Sequence, residues 1–330
     1  MKKTLSRWLI DIWYADHFTG AWLMPLGFLF CDVVRFRKFL YRIGLLKKHT
    51  LQIPVIVVGN ITVGGTGKTP LVIWLADFLK SRGYQPGVIS RGYGGRARSW
   101  PQGVTVDSDP KQIGDEALLI AKRTGCPMAV GPSRVEAAKL LLSKSACDVI
   151  LSDDGLQHYA LNRTLEIAVI DGSRRFGNGY CLPAGPLREP IERLQTVDLI
   201  IVNGDAYEDN EFSMKLVGDQ LVNCVTGERK NLEEFNQVNC HALAGIGNPE
   251  RFFNKLKSAG IIITCHGFPD HHQFQPKDIK YRDKKPVLMT EKDAVKCTYF
   301  VEEKHWYLPV NAVLEPLFTE RLLDLLKRKA

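Results

Sequence analysis

The stretch Thr62-Val63-Gly64-Gly65-Thr66-Gly67-Lys68-Thr69 decides the fold. A β-branched run, Val55-Ile56-Val57-Val58, precedes it, and an apolar helical pattern from Leu71 to Leu79 follows. Strand, glycine loop and helix in that order describe a phosphate-binding P-loop. Glycines let successive backbone N–H groups converge on one small concavity, and the start of a helix adds partial positive charge there. In such a loop Lys68 reaches the β- and γ-phosphates of a nucleotide and the Thr69 hydroxyl holds Mg2+. The whole octet, Thr62 to Thr69, is the expected nucleotide-binding element. Pro70 falls in the first helical turn, where its missing N–H costs little. Thr62 stands where such loops commonly begin with glycine. A glycine-rich turn with no ligand is the plainer alternative, and the flanking strand and helix argue against it.

Outward from the loop, short apolar runs alternate with helical patterns. Residues 54–58, 87–90, 127–130, 148–151, 166–170 and 199–202 read as strands, and 71–81, 115–123 and 134–143 as helices. That alternation predicts an α/β fold: a P-loop NTPase-like, mainly parallel sheet with helices on both faces. Polar, glycine-rich clusters follow five of the strands: 59–69, 91–95, 131–134, 153–158 and 171–174. Ligands of open α/β sheets bind at the carboxyl ends of strands, so the five clusters predict one composite site. Residues 176–190 read as an ordered connecting loop, and a smaller α/β domain is expected beyond it. Its strands fall near 199–202, 240–244, 261–265, 286–289 and 306–309, and 314–327 forms an amphipathic helix. Gly245-Ile246-Gly247-Asn248-Pro249 resembles a strand-to-helix turn and reads as fold punctuation. The expected division is 1–50, a membrane-association segment; 51–175, the P-loop domain; and 176–330, a domain closing over the nucleotide.

The chain has 330 residues, enough for a large core, with 45% hydrophobic and 24% charged residues. Its net charge of +8 suits an acidic partner: nucleotide, nucleic acid or anionic lipid. Eight cysteines form no CxxC pair, which argues against a zinc site or a disulfide framework. Residues 1–48 interleave aromatic side chains (Trp8, Trp13, Tyr14, Phe18, Trp22, Phe28, Phe30, Phe36, Phe39, Tyr41) with Lys2, Lys3, Arg7, Arg35, Arg37, Lys38, Arg42, Lys47 and Lys48. The longest uncharged run, His17 to Cys31, is broken by Pro25 and two glycines, too short for a spanning helix. The composition predicts a helix pair lying in the membrane interface; a helix covering the domain's own core is the alternative.

Asp153 and Asp154 follow a buried-strand run, the position from which a P-loop protein's carboxylate helps hold Mg2+. A turn or cap pair is the alternative, and Gln157 and His158 extend the cluster toward substrate. Asp115 and Glu116 open a helix, where Asp115 is either a cap or a base accepting the proton of an attacking hydroxyl. Arg91, Arg134 and Arg188, each close to glycine or proline, suit phosphate oxygens, and Tyr93 suits a sugar face. Asp270-His271-His272 lacks the spaced second ligand pair of a zinc site; a histidine reaching across a cleft to orient a catalytic aspartate is the sharper reading. Thr290-Glu291-Lys292-Asp293 suits either a nucleotide contact or an ordinary helix start.

Taken in order, the segments 59–70, 90–95, 114–116, 152–158, 182–189, 270–272 and 290–296 resemble the tetraacyldisaccharide 4′-kinase family of lipid A biosynthesis. They run across most of the chain, and Thr62 at the head of the loop agrees with that family's own variant. The resemblance implies transfer of the ATP γ-phosphate to the 4′-hydroxyl of a tetraacylated glucosamine disaccharide 1-phosphate, giving lipid IVA. It places the family's catalytic pair on Asp115 and His271, with His272 in reserve and Lys68 beside them. It places the acidic residues near Mg2+ on Glu116, Asp153 and Asp154, with Thr69. It implies a peripheral or monotopic enzyme on the cytoplasmic face of the inner membrane, with no nucleic acid and no obligate protein partner. The competing reading is a membrane-targeted P-loop switch ATPase or GTPase. The commonest such loop has lysine where this chain has Val63. A nucleic-acid-binding ATPase fits less well, because many of the cations sit in the apolar N-terminal segment.

Overall fold

The strand Val55–Gly59 (β1) is buried along its length, and its side chains alternate between two cores. Ile56 and Val58 join one cluster, Val55 and Val57 the other, as the two-residue period of a strand covered on both faces requires. The computed structural model describes residues 2–14 and 18–329, with the side chains of 8–14 and 20–329. The expected contributions of Lys2, Lys3, Arg7 and Phe18 lie outside those described side chains.

Two helices, α1 (Lys2–Tyr14) and α2 (Met24–Arg42), precede β1. The chain then runs through α3 (Lys68–Ser81), β2 (Pro86–Ser90), β3 (Gln102–Val104), α4 (Pro110–Ile113), α5 (Asp115–Thr124), β4 (Met128–Val130), α6 (Arg134–Lys144), β5 (Val149–Asp153), β6 (Leu165–Asp171), β7 (Leu199–Asn203) and β8 (Glu211–Val217). A second group follows: β9 (Gln220–Asn223), β10 (Arg229–Asn231), β11 (Asn239–Ala244), α7 (Pro249–Ser258), β12 (Ile262–Gly267), α8 (Pro276–Ile279), β13 (Val287–Thr290), α9 (Glu291–Cys297) and β14 (His305–Leu308). The strand β15 (Asn311–Leu314) and the helix α10 (Pro316–Lys329) end the described chain.

Among the described residues the strands form two sheets. The larger has the order β15-β8-β7-β6-β1-β5-β2-β4-β3 and is parallel except at its edges, where β3 and β15 run antiparallel to their neighbours. The face built on Ile56 and Val58 is covered by Leu71, Leu75 and Leu79 of α3, Leu118 of α5, and Phe318 and Leu322 of α10. Val135, Ala138 and Leu141 of α6 cover the other face. Each fully buried leucine here contributes about 1.5–3 kcal/mol from removal of apolar surface from water. The smaller sheet has the order β10-β9-β14-β13-β11-β12, with β12, β11, β13 and β14 parallel.

Sheet membership corrects the expected boundary at residue 176. The run Leu199–Asn203 pairs parallel with β6, β8 extends that edge, and β15 returns to pair with β8. The smaller sheet therefore lies between Gln220 and Leu308, inserted into the larger unit. The loop 176–190 does not join domains. It folds under the P-loop, where Val63 N donates to Pro186 O at 2.8 Å and Thr62 bridges to Leu187.

The N-terminal helices lie on that same loop. Trp13 Nε1 donates to Pro183 O at 3.0 Å, and Gly27 of α2 approaches so closely that a Cβ would stand 2.9 Å from Ala184 Cβ. Away from this contact α2 leaves Leu26, Phe28, Leu29, Val33, Phe36 and Phe39 exposed, and Trp22 is 84% exposed. No described helix is long and apolar enough to cross a membrane.

Candidate active site

The P-loop begins where β1 ends. Gly64 and Gly67 have φ of +113° and +99°, a region that glycine alone enters without strain. Gly67 caps α3, and a Cβ there would meet Asn203 Nδ2 at 2.7 Å. Around Gly64 and Gly65 a Cβ would meet no atom within 4 Å, so the loop is open on that side. Thr66 Oγ1 is buried without a hydrogen-bond partner. Thr62 and Val63 are committed elsewhere, Thr62 to Asn60 and Leu187 and Val63 N to Pro186 O. From there the loop runs through Gly64, Gly65, Thr66 and Gly67 to Lys68 and the partly buried Thr69.

Lys68 Nζ donates to Oδ1 of Asn60 at 3.0 Å and lies 3.4 Å from Asp154. Asn60 is fully buried, and its Nδ2 donates to Thr62 O at 2.7 Å. The sequence reading gave Asn60 no role of its own; its place directly after a buried strand is the signal that marks it.

At the end of β5 two adjacent carboxylates have opposite surroundings. Asp153 is buried and accepts from Ser90 Oγ at 3.1 Å. Burial, then the charges of Glu116 and Asp154, push its carboxyl up to about 7, against Lys68 and Arg134. Asp154 has φ of +47° and takes Arg188 Nη1 at 3.0 Å. Burial would raise its proton affinity, but Lys68 and Arg188 hold it well below the usual carboxylate range.

The second unit supplies the opposite wall. His271 Nδ1 lies 3.0 Å from Asp115 Oδ1 and 3.1 Å from Oδ2, across 156 residues of sequence. Asp115 is the first residue of α5, capped by Gly114 and not itself the cap. Burial raises its carboxyl, but the His271 hydrogen bond, Lys292 and Lys296 overcome this and bring it down to about 2. Burial lowers His271, but Asp115 outweighs it, so the imidazole is raised above its ordinary value. His271 has φ of +56° and packs 4.7 Å from the Tyr93 ring, a backbone setting that costs an L-residue energy and persists only where surroundings impose it. His272 faces away, 3.1 Å from Asp278. Lys292 Nζ joins Glu116 at 2.8 Å and Asp270 at 3.2 Å. The Gly245–Pro249 turn, expected to be mere punctuation, reaches the P-loop: a Cβ on Gly247 would stand 3.1 Å from Gly65 N. Its location could not be read locally, because contact between two distant loops leaves no mark in either.

Three residues expected to meet substrate also make hydrogen bonds within the fold. Arg134 is buried and donates to the carbonyls of Gly131, Asp153 and Asp154, so it holds the end of β5 in place. Gln157 donates to Asn60 O at 3.0 Å and to Glu189 at 2.8 Å. His158 Nε2 accepts from Arg134 N, and burial followed by four arginine charges lowers it to about 4. Arg91 and Tyr93 are exposed, and Arg188 is engaged with Asp154.

A P-loop lysine, carboxylates on the adjoining strand and a carboxylate–imidazole pair across the cleft together define a P-loop kinase acting on an alcohol. Comparison with known proteins narrows the class. The family model for tetraacyldisaccharide-1-P 4′-kinase (LpxK) matches residues 19–327. A tetraacyldisaccharide 4′-kinase of Nitrosococcus oceani is 51% identical over 325 residues, covering 98% of this chain and 96% of that protein. The one from Alkalilimnicola ehrlichii is 51% identical over 300 residues, covering 91% and 90%. A crystal structure of LpxK from Aquifex aeolicus in complex with ATP superposes with a TM-score of 0.80 at 28% identity, covering 93% of this chain and 99% of that one. The chain belongs to the tetraacyldisaccharide 4′-kinase family. It is an ATP-dependent lipid-sugar kinase of lipid A biosynthesis, transferring the γ-phosphate to the 4′-hydroxyl of its acceptor.

Proposed function

We propose that the two units act on the reaction from opposite sides of the cleft. Backbone N–H groups from Gly64 to Thr69 cradle the ATP phosphates, and Lys68 holds the γ-phosphate oxygens after leaving Asn60. Asp115 accepts the proton of the 4′-hydroxyl, and His271 orients that carboxylate and steadies its charge. The Asp115–His271 pair carries this reading: a depressed carboxylate and an imidazole, supplied by two different units, meet beside the cleft. The Gly247 turn against Gly65 supports closure over the nucleotide, which keeps water from competing with the alcohol.

Among the described residues no three His, Cys, Asp or Glu side chains form a ready metal cage. Mg2+ bound with a triphosphate needs none, since one or two carboxylates, phosphate oxygens and waters complete its shell. The residues fit such an ion. Asp153 is buried with raised proton affinity beside Glu116 and Asp154, an acidic group with an unmet demand for positive charge. Thr69 and Asp153 would hold Mg2+, with Glu116 close by; Asp154 already serves Lys68 and Arg188. When bound, Mg2+ neutralises charge on the β- and γ-oxygens.

The exposed apolar side of α2 seats the enzyme on the cytoplasmic face of the inner membrane as a peripheral protein. Arg42 at the end of the same helix and the exposed Lys47 and Lys48 beyond it supply cations for acidic headgroups. The lipid acceptor then reaches the cleft without leaving the surface.

Substituting the two neighbouring histidines separately tests the pairing, by transfer of labelled γ-phosphate to detergent-dispersed acceptor. His271→Gln lowers kcat by roughly 10²-fold or more, the usual size of an acid–base contribution, while His272→Gln stays within a few-fold. Equal effects of the two would remove His271 from this role.

A further inference from the structure

We propose that Asn203 and Arg251 are positioning residues of the nucleotide cradle, through which the smaller unit sets the peptide between Thr66 and Gly67 in its phosphate-binding orientation. The inference rests on the reading of Gly64–Thr69 as that cradle. Asn203 ends β7 and is 3% exposed. Its side-chain amide is used at both ends. Nδ2 donates to Thr66 O at 3.1 Å. Oδ1 accepts from Arg251 Nη2 at 2.8 Å, and Arg251 stands in the first turn of α7, in the other unit.

The effect on the loop follows from peptide geometry. The Thr66–Gly67 bond is trans, and in a trans peptide the C=O and the following N–H point in opposite directions. A side chain that holds Thr66 O therefore turns Gly67 N–H away from Asn203. That N–H has no backbone acceptor among the described residues, so it is left for a ligand. Thr66 Oγ1, in the same turn, is buried without a partner as well. A Cβ on Gly67 would stand 2.7 Å from Asn203 Nδ2; the missing side chain is what lets the amide come so close.

Arg251 fixes which way round the amide sits. Reversed, Asn203 would set its NH2 against the guanidinium and its oxygen against Thr66 O, donor on donor and acceptor on acceptor. The start of α7 is itself held from the larger unit. Arg174, in the turn after β6, donates to Gly247 O at 3.4 Å, and Gly247 packs on Gly65 N. Each unit thus sends an arginine to the other beside the P-loop, and the cradle is fully set only with the smaller unit seated on it. A preset N–H stabilises the charge that develops on the β-phosphate oxygens as the γ-phosphoryl group leaves, with no reorganisation at that moment.

The test is a double-mutant cycle of Arg251→Ala, Asn203→Ala and the two together. It is read by single-turnover phosphate transfer and by inhibition by ADP, whose terminal phosphate carries the charge that the leaving group acquires. Arg251 is exposed, so the fold survives its loss. Arg251→Ala lowers the transfer rate and weakens ADP inhibition, each roughly ten-fold, the worth of one charge-assisted hydrogen bond. KM for the lipid acceptor and the melting temperature stay nearly unchanged, and Arg251→Lys, which still donates to Asn203, recovers most of the loss. The double variant is no worse than the worse single one, because both residues act through one peptide. Additive losses would show that Arg251 meets the nucleotide itself and would overturn the proposal. Unchanged ADP inhibition, or a loss seen in the melting temperature alone, would overturn it too. If Asn203→Ala does not fold, ADP inhibition of the Arg251→Ala and Arg251→Lys proteins decides by itself. A Lys68→Ala protein that transferred phosphate at the wild-type rate would instead overturn the reading of the cradle, so the two failures are separable.

Discussion

The molecule uses one local device twice, with different outcomes. After β1 the chain turns through Gly64–Gly67 into α3; after β11 it turns through Gly245–Gly247 into α7. The first turn is open around Gly64 and Gly65 and ends in Lys68. The second is packed: a Cβ on Gly245 would stand 3.1 Å from Asp293 Oδ1 and 3.2 Å from the Phe274 ring, and Gly247 lies against Gly65. Its helix starts with Pro249, and the cation of its first turn, Arg251, donates to Asn203 Oδ1 at 2.8 Å. Glycine spacing announces a sharp turn, while the neighbours decide whether it holds a ligand or closes over one.

Lys68→Ala breaks the comparison most severely. With the lysine gone the open turn loses its own cation, and labelled-phosphate transfer falls by about 10³-fold or more, the scale of losing a charged group aimed at the transferring phosphate. Transfer within ten-fold of wild type would show that the open turn does not hold the reacting group. Gly247→Val is milder. Its side chain presses on Gly65 N, so closure is impaired and KM for ATP rises several-fold with the unfolding midpoint nearly unchanged; an unaltered KM would separate the second turn from the nucleotide.

The smallest effect is the pH dependence of the bridge between the units. His271 is raised in the folded protein, so its contribution to stability is fully present below its ordinary pKa of about 6.5. That contribution is lost as pH rises through the raised value. Asp115 is depressed to about 2, so its share is present above the ordinary carboxylate value of about 3.9 and is lost as pH falls through that lower value. The difference in melting temperature between wild type and His271→Gln is therefore largest near pH 4–6 and shrinks above about 6.5. Turnover moves the other way, rising as His271 loses its proton and stops competing for the Asp115 carboxylate. Parallel profiles of stability and turnover would contradict the paired roles.

The parts of this molecule that are local in sequence were legible. β1, its glycine turn and α3 occupy one continuous stretch, and buried parallel strands announce themselves as unbroken apolar runs. The return of the chain was not legible. β8 shows a mixed burial pattern and β15 has only four residues, so neither signals that it rejoins the larger sheet. Arg134 read as a phosphate ligand because it opens a helix after glycine, proline and serine. What the sequence could not show is the set of carbonyls at the end of β5 that take its Nη2, brought near by the fold alone. Asp115 alone could be read as cap or base; the resemblance to a family supplied its partner, and the structure places His271, not His272, beside it.

Single-turnover transfer of labelled γ-phosphate by Asp115→Asn, with ATP affinity measured on the same protein, tests the central claim most directly. The account predicts a loss of about 10²–10⁴-fold in the transfer rate, with ATP affinity held within a few-fold. Transfer at the wild-type rate would contradict it.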